Sequence, residues 1–190
     1  MQKLTGMAAA LNRFISRSAD RCRPFFLLIN KWKNFEWTEE CARAFQQLKD
    51  YLARLPIMSS PEPDEVLFAY IVVASYVVSL VLIQVDNGIQ RLVYYVSKSL
   101  HEAKVRYLPL EKAILAVVLG TCKLPHYFQT HTVVVLTQLP LKTILRNADY
   151  TGRIAKWGTI LGAFDIKYMP RTCVKGRSSQ IWWLNSPNLK

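Results

Sequence analysis

Residues 66–85, VLFAYIVVASYVVSLVLIQV, run for twenty positions without a charge, and Asp86-Asn87-Gly88 follows at once. A stretch of that length can span a bilayer as a helix. Its density of Val, Ile and Tyr and the Ala74-Ser75 break near its middle argue for two strands instead. So does the Asp-Asn-Gly hairpin signal at its end. The chain is therefore expected to build around a buried hairpin and not around a membrane span.

Three strands are expected, over 67–75, 77–85 and 90–96, with turns short enough for an antiparallel meander. Before them, residues 4–16 place Leu4, Met7, Ala8, Leu11, Phe14 and Ile15 on one helix face, and a short helix is plausible over 24–29. Thr38 reads as an N-cap with Glu39 and Glu40 in the first turn. The helix it opens carries Cys41, Ala44, Phe45, Leu48, Leu52 and Leu55 on one stripe and stops before Pro56. The segment Ser59-Ser60-Pro61-Glu62-Pro63-Asp64 reads as a linker and domain boundary. After the meander, Pro109 suits the first position of a long helix over 109–122. A strand over 132–137, helices over 140–146 and 152–161, and a last strand over 164–169 complete the pattern.

With 51% hydrophobic and 20% charged residues, the 190-residue chain has a globular composition and enough length for one core with a smaller appendage. Its formal net charge of +12 favours a polyanionic partner, nucleic acid first, with a solvated basic surface as the equal alternative. Through Lys33 there are seven Lys or Arg (Lys3, Arg13, Arg17, Arg21, Arg23, Lys31, Lys33) against Asp20 alone. Cys22, Cys41, Cys122 and Cys173 show no metal-ligand spacing, which fits reduced, mostly buried thiols. No targeting segment is visible, so cytoplasm or nucleus is the expected location.

The segment 91–118, RLVYYVSKSLHEAKVRYLPLEKAILAVV, carries the chemical information. An apolar strand leads through a polar link to a helix with one carboxylate, Glu111, in its first turn. This segment resembles the ribonuclease H region of gypsy-type LTR retrotransposon polyproteins, plant ones in particular, whose motif reads Y-x-P-x-E-K. Residues 1–58 resemble the thumb and connection of the reverse transcriptase that precedes it. The resemblance implies an α/β fold: a ribonuclease H-like mixed five-stranded sheet flanked by helices, preceded by a small helical thumb and connection remnant. The expected domains are 1–58, 64–177 and a divergent tail over 178–190.

The family's inherited activity is hydrolysis of RNA in RNA·DNA hybrids with Mg2+ or Mn2+. Two-metal hydrolysis needs several converging carboxylates, because one cannot hold two divalent ions about 4 Å apart against their mutual repulsion. The resemblance places the helix glutamate at Glu111. It places the first-strand aspartate at Ser75, within Ala74-Ser75-Tyr76-Val77-Val78-Ser79, and the fourth-strand aspartate at Gln138, within Val135-Leu136-Thr137-Gln138-Leu139-Pro140. A fourth acid would follow Pro170-Arg171-Thr172, yet no Asp or Glu occurs after Asp165. Asp86 lies roughly 30 Å from Ser75 along a strand, and Asp149 and Asp165 read as a cap and a surface charge.

With Glu111 retained and Ser75 and Gln138 degenerate, no stably bound metal and at most very weak cleavage are expected. On the residues alone, without the resemblance, Glu111 reads first as an ordinary first-turn glutamate favoured by the helix dipole. Arg13, Arg17, Arg21 and Arg23 are candidate phosphate contacts to an RNA·DNA hybrid or primer-template. A non-catalytic binding module and a non-functional polyprotein fragment, from a decayed reading frame or a fragmentary gene model, are the alternatives.

Overall fold

A computed structural model describes residues 2–29, 37–54, 57–146 and 152–171. The uncharged run folds as strands β1 (Leu67–Val73) and β2 (Val77–Asp86). Asn87 and Gly88 then turn the chain with φ of 51° and 78°, the two positive values a tight two-residue hairpin requires. Strand β3 (Ile89–Ser99) returns antiparallel to β2, three residues longer at its end than the sequence pattern predicts. Strands β4 (Val133–Leu136) and β5 (Ile166–Met169) run parallel to β1 and to each other. The order β3-β2-β1-β4-β5 gives the expected mixed five-stranded sheet.

Alternation along the strands divides the core. Leu67, Ala69, Ile71, Val78, Leu80 and Leu82 face the helices that follow β3. Tyr70, Val81, Ile83, Val134 and Leu136 face the opposite side. A register shift at Leu82/Ile83 changes the phase of β3, so Val93 and Val96 join the first face while Leu92 and Tyr95 join the second.

Helix α5 (Pro109–Lys123) begins with its proline and packs across β1 and β2. Seven of its residues are buried hydrophobics or glycine between Ala113 and Gly120, which explains its weak amphipathic period: it is enclosed on nearly all sides. Gly120 lets it approach the sheet. A Cβ there would stand 2.9 Å from Leu80 Cδ1 and 3.3 Å from Phe128 Cζ.

Among the described residues four α-helices precede the sheet: α1 (Gln2–Ala10), α2 (Ser18–Arg21), α3 (Arg23–Ile29) and α4 (Glu39–Leu52). Thr38 caps α4 by accepting the Cys41 N–H, as its position predicts. The single helix expected over 4–16 is corrected. It ends at Ala10, a 3-10 turn occupies Asn12–Phe14, and Arg17 adopts left-handed φ. Ile15, Cys22, Phe25, Cys41, Leu48 and Tyr51 form a separate small core there. Two hydrogen bonds to the Ala19 backbone, its N–H to Ser97 Oγ and its carbonyl from Ser99 Oγ, both 3.3 Å, join this unit to β3.

Beyond α5, helix α6 (Pro125–Thr130) had no periodic signal, being too short for one. Helices α7 (Leu141–Arg146) and α8 (Arg153–Gly162) precede β5; α7 packs on it, and α8 packs on α5 and α7. Among the described residues Cys22 and Cys41 are free and buried and Cys122 is free and exposed, in line with mostly buried thiols. Among the described residues no helix is long and apolar enough to cross a membrane. Cys173, the expected Asp149 cap, Lys31, Lys33 and the tail over 178–190 lie outside the described residues.

Candidate functional site

Parallel pairing of Tyr70 with Leu136 aligns the carboxyl ends of β1 and β4. Ser75 follows β1 in an exposed turn and Gln138 follows β4, also exposed. The amino end of α5 meets the Ser75 turn, because Lys112 Nζ donates to the Ser75 carbonyl at 2.9 Å. The three positions assigned from the motifs therefore collect at one end of the sheet.

Their chemistry is not that of an acidic cluster. Glu111 Oε2 accepts the Leu108 N–H at 3.0 Å, closing the first turn of α5 as a glutamate at this position does in a capping box. Glu111 Oε1 lies 3.3 Å from a guanidinium nitrogen of Arg153, with the glutamate side chain 16% exposed and the arginine 47%. Arg153 Cζ stacks 4.0 Å over the Tyr107 ring. A hydrogen bond to Tyr107, with a further contribution from the Glu111 charge, raises the Arg153 pKa above its ordinary value.

Two more cations close on the same end. Lys112 is buried with its ammonium on Ser75 O, and Arg171 donates to the Ile71 carbonyl at 2.7 Å, past the last residue of β4. Sequence reasoning missed Lys112, Arg153 and Arg171. Lys112 and Arg171 stand inside the quoted motifs, but the roles of all three depend on pairings between distant segments that a local pattern does not show.

As donors for two divalent ions these residues do not fit. Ser75 and Gln138 contribute neutral oxygens, and the one carboxylate is already paired with a guanidinium. Among the described residues no group of three or more His, Cys, Asp or Glu could hold a metal. Asp86 lies at the far end of β2, bound to Arg91 at 3.0 Å, and the exposed Asp165 accepts the Thr132 hydroxyl.

The four arginines proposed for phosphate contact differ in availability. Arg17 is paired with Asp20. Arg21 donates from Nε to Ser16 O at 3.1 Å and stacks over Tyr51. Arg13 and Arg23 are exposed and stack on rings, Arg13 on Phe14 and Tyr94 and Arg23 on Tyr76.

Residues 37–135 match the family model described as an RNase H-like domain found in reverse transcriptase. The chain belongs to that family. It is 21% identical over 178 residues to the retrovirus-related Pol polyprotein from transposon 297 of Drosophila melanogaster, covering 93% of this chain and 16% of the relative. It is 26% identical over 121 residues to that from transposon opus of the same organism, covering 63% of this chain and 12% of the relative. The chain thus spans about a sixth or less of the length of these relatives.

The fold matches the foamy viral protease-reverse transcriptase. In a complex with double-stranded DNA that protein gives a TM-score of 0.71 at 15% identity, covering 89% of this chain and 31% of the other. In a complex with an RNA/DNA hybrid it gives 0.70 at 17%, covering 89% and 24%. The RNase H-like domain is thereby established as the fold, within a retrotransposon or retroviral Pol context.

Proposed function

We propose that this chain is a catalytically silent RNase H-like domain that binds nucleic acid through backbone contacts without a divalent metal. The observation that carries the reading is the pairing of Glu111 with Arg153. In a two-metal hydrolase the helix carboxylate faces cations that are metal ions. Here it faces a guanidinium, with Ser75 and Gln138 in place of the other acids. Such an end of the sheet attracts phosphate through positive charge but cannot activate water or stabilise a leaving oxygen. The net charge of +12, and the nucleic-acid complexes formed by the structural neighbours, support the binding half of the reading.

The gypsy-type lineage in its plant branch, suggested by the motifs, is part of this proposal. So is the division into a thumb and connection remnant over 1–58, a nuclease-like domain over 64–177 and a tail over 178–190.

A labelled RNA·DNA hybrid incubated with the protein in Mg2+ and then Mn2+ tests both halves. The expected result is no cleavage and a shifted hybrid on a native gel. Cleavage abolished by Glu111→Gln would overturn catalytic silence, and an unshifted hybrid would overturn binding. The triple variant Ser75→Asp, Gln138→Asp, Arg153→Gln restores acids and removes the competing cation. It is expected to bind Mn2+ in isothermal titration where the parent chain does not.

A further inference from the structure

A cleft of about 490 Å³ lies between the amino-terminal helices and the end of β3, beside the Ser75 turn. That volume is within the range of small-ligand sites. Three of its lining residues are basic: Arg23 from α3, Lys98 from β3 and His101 just beyond it, all exposed. Two aromatic rings also line it, with Phe26 42% and Tyr76 48% exposed, beside the polar Asn12, Ser18, Ser97 and Ser99. None of the described residues lining the cleft is acidic.

Arg23 Cζ sits 4.6 Å over the Tyr76 ring. Stacking fixes the guanidinium plane while leaving its N–H groups free to meet a phosphate at the plane's edge. The floor is held in place by the two Ala19 hydrogen bonds to Ser97 and Ser99, so the walls belong to one packed unit. Tyr76 directly follows Ser75, the position that matches the family's first acid. The cleft therefore adjoins the Ser75 turn through Tyr76.

We infer that the cleft seats a nucleotide of a bound nucleic-acid strand, its base on Phe26 and Tyr76 and its phosphate among Arg23, Lys98 and His101. This rests on the nucleic-acid reading above and deepens it by adding a stacking site. Exposed aromatic faces take any base, so the site tolerates sequence, while the basic residues require the phosphate. The groove along β5 is larger, about 690 Å³, but Asp165 lies in its lining beside Lys142, Lys167 and Arg146, so its charge is mixed.

The test is fluorescence anisotropy of a fluorescein-labelled ten-nucleotide DNA strand with the full chain and three variants. Arg23→Gln with Lys98→Gln removes cleft charge, and Lys142→Gln with Arg146→Gln removes equal charge from the β5 groove. Phe26→Leu keeps apolar volume and removes the ring. The cleft pair is expected to lose about tenfold more affinity than the β5 pair. Phe26→Leu is expected to lose about fivefold with an unchanged salt slope, the low end of one lost stacking contact. Equal losses in the two charge pairs, or an unaltered Phe26→Leu, would overturn the cleft while the nucleic-acid reading stood. A parent chain that binds neither this strand nor a hybrid would overturn both.

Discussion

Both carboxylate oxygens of Glu111 have partners inside the protein, the Leu108 N–H and the Arg153 guanidinium. In a working acidic cluster the opposite holds: like charges repel until metal arrives, so removing one acid relieves strain. The sign of a single substitution therefore distinguishes the two situations. Glu111→Ala is expected to lower stability by about 1 kcal/mol, the usual cost of a lost cap interaction with a small addition for a half-exposed ion pair. Glu111→Gln keeps an acceptor for Leu108 and is expected to cost less than half of that. Urea denaturation at neutral pH measures both, and a stabilising Glu111→Ala would show that the carboxylate sits in unrelieved repulsion.

Among the elements, α5 against β2 sets how closely the candidate site is held to the sheet. Gly120 allows that approach, and an added methyl would meet Leu80, itself almost fully buried. Gly120→Ala gains helix propensity of about 1 kcal/mol and incurs overpacking of roughly 1–3 kcal/mol. A net loss of about 1 kcal/mol is expected in thermal or urea unfolding; a gain would mean that Leu80 yields without strain. The same element shows what the sequence made legible. Pro109 fixed the start of α5, Asn87-Gly88 fixed the hairpin, and Thr38 fixed the start of α4, each through a local backbone requirement. The break after Ala10 and the short α6 escaped because an apolar face continues in register across a break, and six residues hold no period. At the site, Ser75, Glu111 and Gln138 were found through motifs; Lys112 stood beside Glu111 in the same motif without a role, and Arg153 stood in none. Their partners lie in other elements, and only the folded topology brings them together.

For the whole molecule, the decisive quantity is the sign of the field at the carboxyl end of β1 and β4. An acidic nuclease site repels phosphate until divalent ions neutralise it, so its hybrid affinity rises with Mg2+. Here, among the described residues, the carboxylate of Glu111 is paired with Arg153, and Lys112 and Arg171 bond to backbone carbonyls at the same end, on a chain of net charge +12. Binding should therefore be unchanged or slightly tighter in EDTA, because free Mg2+ only competes for phosphate. Arg13, Arg23, Lys98 and Arg153 are exposed. If each meets one phosphate of a duplex, log K falls against log salt with a slope of about −3 to −4. Anisotropy of a labelled hybrid across a salt series, with EDTA and then with Mg2+, reads both quantities. A hybrid that binds only when Mg2+ is added would place a functional metal between phosphate and protein, and the guanidinium at Glu111 would then have to leave.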